Sequence, residues 1–318
     1  MADPVALIVA GPTCSGKSAL AMALAQRVRG TVVNADAMQC YRELLVLTAR
    51  PTPEDEATVP HALYGVRPAA EPGNAAWWRG AALAAMARAN ADGRVPILCG
   101  GTGLYLQALR DGIADLPEVS RQVREEARGL LAAEGPQALH ARLAAVDPAT
   151  AERLKPGDSQ RIARAWEVWR QTGRGLSDWQ GEAGTPAPWR FASVLLDPPR
   201  EALRAAIAAR TEAMFACGAV DEVRALMEQG LDPALPAMRA HGVPEIAAFL
   251  RGEIDRDEAM RRTALVTGQY TKRQATWFRH HPLADPPHMY TIHARMGDFA
   301  QFSERVMAAL VNFVEASG

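Results

Sequence analysis

Residues 5–26, VALIVAGPTCSGKSALAMALAQ, decide the fold. The stretch begins with VALIVA, a continuous apolar run that is typical of a strand covered on both faces of a sheet. A glycine-containing loop follows, and the residues after the loop are rich in strong helix formers. The stretch therefore predicts a buried strand, a tight loop and a helix.

The same pattern recurs along the first third of the chain. GTVVNAD (30–36) predicts a second short strand, and RVPILCGGTGLYLQALRDG (94–112) repeats the order of strand, glycine turn and helix. Strands that alternate with helices imply a parallel β-sheet flanked by helices. We therefore expect an α/β core.

The pattern changes after residue 117. Residues 118 to about 181 look helical, and DSQRIARAWEVWRQTG (158–173) places Ile162, Trp166 and Trp169 on one helix face. GEAGTPAPW (181–189) then looks like a linker or long loop. Strand character returns in RFASVLLDPP (190–199), and helical segments follow it. We expect an α/β core with a helical C-terminal part in residues 1–117 and 191–318, interrupted by a helical insertion domain in residues 118–190.

Composition excludes some classes of protein. The formal net charge is −1, so no global field attracts nucleic acid, and any polyanion must be held by local patches. Four scattered cysteines fit a reducing compartment, and no apolar run approaches the length of a membrane span. These features predict a cytoplasmic protein with no membrane contact.

GPTCSGKS follows the first strand and matches the phosphate-binding pattern G-x-x-x-x-G-K-[ST]. Glycines in such a loop let backbone amides converge on phosphate oxygens, and the helix N-terminus adds partial positive charge. Lys17 supplies a full charge, and the Ser18 hydroxyl is a candidate Mg²⁺ ligand. The residues predicted to bind phosphate are Gly11, Pro12, Thr13, Cys14, Ser15, Gly16, Lys17 and Ser18.

The loop does not identify which phosphate-containing ligand binds, since ATP, GTP and other diphosphates offer the same oxygens. A nucleotide hydrolase also needs an acid after a second apolar strand to hold magnesium. Asp197 follows such a strand but comes very late, and VPILCGG (95–101) carries no acid. Nucleotide hydrolysis is weakly supported.

Asp36 lies where the second strand should end, and Thr102 lies in a glycine turn after another strand. Reactive groups in an open α/β sheet gather outside the carboxyl ends of its strands, so Asp36, Thr102 and Lys17 are expected in one crevice. From spacing alone, Asp36 fits a turn acid equally well, and Thr102 fits a helix cap.

Several ordered blocks resemble the tRNA dimethylallyltransferases. The resemblance runs from about residue 5 to residue 281 and is specific because the blocks occur in the family's order. They are GPTCSGKS, NADAMQCY, TARPT, GGTGLYLQAL, DSQRIARAWEVWRQTGRGLSDWQ, REALRAAIAARTEAM, MRAHGVPEI and TKRQATWFR. The family fold is a P-loop NTPase-like core, in which a parallel β-sheet is flanked by helices, with a helical insertion.

The resemblance implies a reaction. The family transfers a dimethylallyl group from dimethylallyl diphosphate to the exocyclic nitrogen of the adenosine 3′ of the anticodon, in tRNAs that read codons beginning with U. It implies that Asp36 is the general base, that Thr102 hydrogen-bonds the diphosphate, and that Lys17 and Arg210 neutralise it with Mg²⁺. A monomer is also implied.

The resemblance further implies contacts with the anticodon stem-loop of tRNA. A basic segment without acidic residues, Ala259 to Ala284, fits such a role. The implied tRNA-binding residues are Asp36, Ala37, Met38, Gln39, Arg124, Gln160, Arg161, Arg164, Arg239, Lys272, Arg273 and Arg279.

The chain departs from the family pattern at three positions. Ala37 replaces a serine after the acid, Arg50 replaces a lysine, and Ala62 replaces the second of two histidines. They lie near the acceptor side of the expected crevice, where they bear on substrate positioning.

Three other functions remain open from the residues. A small-molecule or nucleoside kinase would use the same loop and sheet. A P-loop protein that binds RNA without chemistry would use the basic segment. Prenyl transfer to free adenylate would need neither the insertion nor the basic segment.

Overall fold

The computed structural model describes residues 3–181, 184–297 and 304–317. The chain forms two compact units, one of Met1–Arg110 with Ala187–Gly318 and the other of Asp111–Pro186. The expected core and insertion ranges include residues 1–2, 182–183, 298–303 and 318, which lie outside the described residues. Each unit has a core of its own.

The first unit is built on a six-stranded sheet in the order β3-β2-β4-β1-β5-β6, in which every pair of neighbours is parallel. This arrangement confirms the predicted α/β class. The strands are β1 (Val5–Ala10), β2 (Gly30–Asn34), β3 (His61–Ala62), β4 (Val95–Gly100), β5 (Arg190–Leu196) and β6 (Met289–Ile292).

Helices alternate with the strands in the first unit, and other helices form the second unit. In chain order they are α1 (Lys17–Arg27), α2 (Pro53–Thr58), α3 (Ala75–Ala91), α4 (Gly103–Asp111), α5 (Arg121–Val146), α6 (Pro148–Arg153), α7 (Ser159–Thr172), α8 (Leu176–Gln180), α9 (Arg200–Ala216), α10 (Ala219–Glu228), α11 (Val243–Leu250), α12 (Arg256–His280) and α13 (Glu304–Ser317).

The apolar strands are buried because helices pack on the sheet. Residues 6–10 of β1 are fully buried, as the unbroken apolar run predicts. Leu24 of α1 and Leu310 of α13 belong to the core cluster that includes β1 and β5 side chains. Trp78 of α3 is also fully buried and donates its indole N–H to the Asn34 carbonyl at 2.8 Å.

Close approach of two turns brings the strand ends together. A Cβ on Gly100 would lie 2.1 Å from the backbone of Ala35, so the turn after β4 approaches the turn after β2 only with glycine. The loop after β1 lies at the same edge, because parallel strands end on the same side of a sheet. The site is built at this edge.

The second unit is helical and spans α5 to α8. Helix α5 is interrupted at Gly135, whose φ is 81°, just before Pro136. Its core packs Leu139 and Leu143 of α5 against Ile162 of α7, in a cluster of fully buried side chains. The apolar face read from residues 158–173 is thus the face that is buried within this unit.

Candidate active site

The loop Gly11–Ser18 connects β1 to α1 and is tightly curved. Cys14 and Gly16 adopt the left-handed backbone region, with φ of 66° and 90°. Between them, the Ser15 amide donates to the Pro12 carbonyl at 3.2 Å. Loops of this kind turn backbone amides toward one side and form a concavity that favours anions.

A crevice of about 240 Å³ opens beside this loop. Lys17, Arg210 and Arg295 are the cations of its described wall, and Asp36 is the acid. Positive charge exceeds negative charge, which favours a bound polyanion. The wall also contains the predicted residues Thr13, Cys14, Gly16, Ser18, Met38 and Gln39. Gly11, Pro12 and Ser15 are buried in the body of the loop.

Asp36 stands two residues beyond β2 and is held by its own turn. Its backbone N–H donates to Asn34 Oδ1 at 2.8 Å, and its Oδ1 accepts the Met38 N–H at 3.0 Å. Among the described residues, Oδ2 has no hydrogen-bond donor. The residue is therefore a turn acid that also presents a carboxylate to the crevice.

Thr102 lies behind Asp36 rather than on the phosphate loop. Its Oγ1 accepts the Ala37 N–H at 3.0 Å, and its own N–H donates to the Ala35 carbonyl at 3.2 Å. Its hydroxyl also interacts with that of Tyr270, whose pKa is raised to about 12 chiefly by burial. In the described wall Thr102 does not line the crevice, so its direct neighbours are the acceptor-side turn and α12.

Arg210 is half-buried on α9 and lines the crevice. Its Nη2 donates to the Leu47 carbonyl at 3.1 Å, which directs the guanidinium across the opening. The environment differs from that of a solvated helix arginine, because the side chain bridges α9 to the segment before Arg50.

Gln39 stabilises the opposite wall. Its Nε2 donates to the carbonyls of Thr48 and Ala49 at 3.0 and 3.1 Å. Met38 and Gln39 thus lie on the crevice wall, whereas Arg239, in a short 3₁₀ helix (Ala237–Arg239), is exposed and outside it.

The basic residues predicted on α12 are exposed, and two of them line a groove apart from the crevice. Lys272 and Arg279 line a cavity of about 790 Å³ together with Asp197, whose carboxylate is 3.7 Å from the Arg279 guanidinium. Arg273 lies 5.5 Å from the ring of Tyr270. The late acid Asp197 therefore belongs to this groove, outside the described wall of the crevice.

The predicted residues of the second unit are largely on its surface. Arg124 and Gln160 are exposed. Arg161 is 3.5 Å from Asp158, and Arg164 is 3.2 Å from Glu167. Arg124 and Arg161, which are exposed, and Arg164, which is half-buried, are compatible with phosphate contacts.

Sequence reasoning missed Gln274, which braces the site from α12. Its Oε1 accepts the backbone and hydroxyl hydrogens of Thr13 at 2.8 and 3.2 Å, and its Nε2 donates to the Gly101 carbonyl at 2.9 Å. The residue is buried. Its position three residues after buried Thr271 and four before buried Phe278 is the helical signal that marks it as inward-facing.

His241 and Arg295 were also missed. His241 lines the crevice and meets the Tyr270 ring edge-on, with ring centres 4.9 Å apart. Burial is the main cause that lowers the pKa of His241, and the charge of Arg273 adds to it. Arg295 reaches the phosphate loop from the segment after β6, where its Nε donates to the Cys14 carbonyl at 2.9 Å.

Two of the departures from the family pattern have structural partners. Arg50 donates from Nη1 to the carbonyls of Tyr41 and Arg42, at 3.0 and 3.1 Å, and packs where a Cβ on Gly65 would stand. Its Nε is buried without a partner among the described residues. Ala37 contributes its backbone N–H to Thr102. Arg50 thus fixes the chain turn beside the crevice.

The protein offers a divalent metal few ligands of its own. No cluster of three or more acidic, histidine or cysteine ligands occurs among residues 3–181, 184–297 and 304–317. The exposed Ser18 hydroxyl lines the crevice at the start of α1. This donor set fits Mg²⁺, which keeps several waters and is commonly bound through substrate phosphates.

In the part of the chain that the structure describes, no helix is both long enough and apolar enough to span a membrane.

Family comparisons agree over most of the chain. The model described as IPP transferase matches residues 39–281, and the model described as Isopentenyl transferase matches residues 4–62. The tRNA dimethylallyltransferase of Granulibacter bethesdensis is 62% identical over 317 residues, covering 99% of each chain. That of Gluconacetobacter diazotrophicus is 61% identical over 313 residues, covering 98% of this chain and 94% of the relative.

Solved structures show the same similarity. The full-length tRNA isopentenylpyrophosphate transferase from Bacillus halodurans matches with a TM-score of 0.68 at 28% identity, covering 99% of this chain and 98% of that one. A eukaryotic dimethylallyltransferase acting on tRNA matches with a TM-score of 0.79 at 25% identity, covering 98% of this chain and 80% of that one.

Proposed function

Since the chain belongs to the IPP transferase family and is a prenyltransferase that acts on tRNA, we propose that its crevice transfers a dimethylallyl group from dimethylallyl diphosphate to N6 of an adenosine. The acceptor is the adenosine 3′ of the anticodon in tRNAs that read codons beginning with U. The two substrates meet in the crevice between the phosphate loop and Asp36.

The diphosphate occupies the loop end of the crevice. Backbone amides of Cys14 and of Gly16–Ser18 and the charge of Lys17 hold its oxygens, since the Thr13 and Ser15 amides are bonded within the protein. Arg210 approaches from α9. This assignment is supported by the excess of cations over acids on the described wall. The cations act most strongly when the C–O bond breaks, because the leaving diphosphate then carries more negative charge.

The adenine occupies the Asp36 end. Its exocyclic nitrogen is a poor nucleophile, because the lone pair is conjugated with the ring. A carboxylate oxygen that accepts one N–H aligns this nitrogen and takes its proton as the new C–N bond forms. The proposal is supported by the Asp36 carboxylate, in which Oδ1 is fixed by the Met38 N–H and Oδ2 has no donor among the described residues. The acceptor base leaves its stack to reach this point.

Thr102 holds the turn that carries Asp36 through the Ala37 N–H. Its hydroxyl also contacts that of Tyr270, and we propose that in the substrate complex it donates its hydrogen to the diphosphate near the breaking bond instead. The Thr102 hydroxyl then links the two halves of the site.

Mg²⁺ is the proposed metal, and it supplies positive charge to the diphosphate. Ser18 is the residue that would hold it, beside phosphate oxygens and water.

The tRNA is proposed to contact basic residues of both units. Exposed arginines and lysines bind phosphates without reading sequence, so they position the anticodon stem-loop. The proposed contacts are Ala37, Met38, Gln39, Arg124, Gln160, Arg161, Arg164, Arg239, Lys272, Arg273 and Arg279. We further propose a monomer that acts in the cytoplasm.

The single observation that carries the proposal is that Lys17 and Asp36 line one crevice. A small-molecule kinase could use the same pair, but neither a kinase nor an enzyme that prenylates free adenylate would need the exposed basic residues of α12 and of the second unit.

Mass spectrometry of tRNA provides the test. Unmodified tRNA is incubated with the chain, dimethylallyl diphosphate and Mg²⁺, digested to nucleosides and analysed. We expect one adenosine of the anticodon loop to gain a five-carbon unit. Unchanged tRNA, together with ADP release from ATP and a small hydroxylated acceptor, would support a kinase instead.

A further inference from the structure

A short segment after β6 lies against the phosphate loop. The Met296 N–H donates to the Ser15 carbonyl at 3.0 Å, and Arg295 Nε donates to the Cys14 carbonyl at 2.9 Å. Two consecutive carbonyls of the loop are therefore held by residues that are distant in sequence. We call Arg295–Gly297 the backing segment.

The backing segment is anchored rather than loosely placed. Met296 is buried in the core cluster with Leu310 of α13. Its carbonyl approaches Gly16 so closely that a Cβ there would stand 1.7 Å from the oxygen. Gly16 is also left-handed, so the loop has two reasons to require glycine at this position.

The contact with Met296 orients a loop amide. The N–H and C=O of a trans peptide point in opposite directions. Because the Ser15 carbonyl is held by the backing segment, the Gly16 N–H points away from that segment. Gly16 lines the crevice, so this orientation suits an amide that binds an anion.

Arg295 then brings a charge to the same place. Its Nε is used by the Cys14 carbonyl, which leaves the two terminal amino groups of the guanidinium. The residue lines the crevice together with Lys17 and Arg210. Within the described residues, no carboxylate lies within 4.0 Å of its nitrogens. An arginine with no carboxylate partner in the described part of the chain, on the wall of an anion site, is suited to bind phosphate oxygens.

We propose that Arg295 is a third cationic ligand of the diphosphate, beside Lys17 and Arg210. The inference deepens the proposed function and rests on it for the identity of the donor. Binding of inorganic pyrophosphate tests it without any transfer step. A purely mechanical role, in which Arg295 only holds the Cys14 carbonyl, is the competing explanation.

The test uses isothermal titration of inorganic pyrophosphate with Mg²⁺ into the full chain. Arg295→Lys keeps the charge, whereas Arg295→Gln keeps an N–H donor for the Cys14 carbonyl and removes the charge. Arg251→Ala is the matched control, because Arg251 is an exposed arginine paired with Glu253 and is not on the crevice wall.

We expect Arg295→Gln to bind pyrophosphate about tenfold more weakly than the parent, as loss of a charge-assisted hydrogen bond predicts. We expect Arg295→Lys to stay within about threefold of the parent, and Arg251→Ala to match the parent. Equal affinity of Arg295→Gln and the parent would overturn the inference. So would a weaker affinity for Arg295→Lys than for Arg295→Gln, since that order indicates a mechanical role.

Transfer to tRNA is measured on the same panel. If the parent transfers no dimethylallyl group, the proposed function fails, while the pyrophosphate titrations still decide the role of Arg295. If the parent transfers and Arg295→Gln binds pyrophosphate normally, only the inference fails.

Discussion

The two oxygens of the Asp36 carboxylate have different surroundings. Oδ1 accepts the Met38 N–H, whereas Oδ2 has no donor in the described part of the chain. Asp36 can therefore stabilise its turn through one carboxylate oxygen and act as a base through the other. Asn34 supports the arrangement, because its side chain accepts the Asp36 N–H and donates to the Asp36 carbonyl at 3.0 Å.

Asp36→Asn separates these two purposes. The amide oxygen still accepts the Met38 N–H, so the turn is preserved, but the amide cannot take a proton from the adenine nitrogen. We expect the single-turnover rate of transfer to fall by about a hundredfold to ten-thousandfold. Affinity for tRNA and for pyrophosphate should stay close to that of the parent.

Asp36→Ala removes the turn contact as well and serves as the comparison. It should abolish transfer while tRNA still binds. Transfer by either variant at the parent rate would exclude Asp36 as the base.

Because the pKa of His241 is lowered in the folded chain, the free energy of unfolding depends on pH. Burial and Arg273 lower its pKa below the usual value near 6.5, while Glu245 and Asp36 act in the opposite direction. Between the lowered folded pKa and the unfolded pKa, the unfolded chain binds more protons. The contribution of His241 to the free energy of unfolding is therefore complete above about pH 6.5, and it is lost as the pH falls through this window.

His241→Phe should reduce this loss of stability. Phenylalanine keeps a ring against Tyr270 but cannot be protonated. We expect urea unfolding to show a smaller stability difference between about pH 7.5 and about pH 5.5 in the variant than in the parent. His61, whose pKa is also lowered mainly by burial, keeps part of the dependence in both chains. If the stability difference between the two pH values were the same in the variant and the parent, His241 would not be the cause of the pH dependence.

The residues that sequence could predict are those that belong to local patterns. Gly11–Ser18 is a contiguous motif, and Asp36 directly follows an apolar run, so both can be recognised from the sequence alone. Arg295 is not, because its partner Cys14 lies at the other end of the chain and no motif joins them. Gln274 was not predicted, because the segment around it was interpreted through its basic residues.

Helix α12 has two working faces. Its exposed face carries Lys272, Arg273 and Arg279, and its buried face contributes Gln274 to the phosphate loop. An acid-free run indicated that the segment is basic, and the structure shows that these three basic residues are exposed. The second face depends on which polar group meets the helix in three dimensions, and residue spacing does not specify that group.

Gln274→Ala should weaken both stability and phosphate binding. The change leaves the Thr13 N–H and the Gly101 carbonyl without their buried partner. We expect the free energy of unfolding to fall by about 1–3 kcal/mol and pyrophosphate to bind more weakly. Gln269→Ala, at an exposed position of the same helix, is the control and should leave both quantities unchanged. Equal behaviour of the two variants would rule out the bracing role.

At the scale of the whole molecule, strand and helix alternation predicted the α/β class, and the sheet confirms it. The strand order was not predictable from the residues, because apolar runs do not state which strand lies beside which. The order places β4 between β2 and β1, which brings the turns carrying Thr102 and Asp36 beside the phosphate loop.

The surface of the second unit allows a prediction of how the affinity for tRNA depends on salt concentration. Arg161 is a surface residue of the second unit, with 76% of its side chain exposed. If it contacts a tRNA phosphate, Arg161→Ala should weaken tRNA binding and reduce the slope of log affinity against log salt by roughly one. Pyrophosphate binding, which belongs to the first unit, should not change.

Arg142→Ala is the control within the same unit, because that arginine donates two hydrogen bonds to Glu134, at 2.8 and 2.7 Å, and is not a proposed tRNA contact. Its salt slope should equal that of the parent. An unchanged slope in Arg161→Ala would exclude Arg161 as a phosphate contact.

The central claim is that one crevice holds the diphosphate at its loop end and the acceptor adenine at its Asp36 end. A crystal structure of the chain with pyrophosphate and an anticodon stem-loop measures this directly. We predict diphosphate oxygens on backbone amides of the loop Gly11–Ser18, chiefly those of Gly16, Lys17 and Ser18, and the adenine N6 within hydrogen-bonding distance of an Asp36 carboxylate oxygen. An adenine bound away from Asp36, or a diphosphate bound outside the loop, would contradict the account.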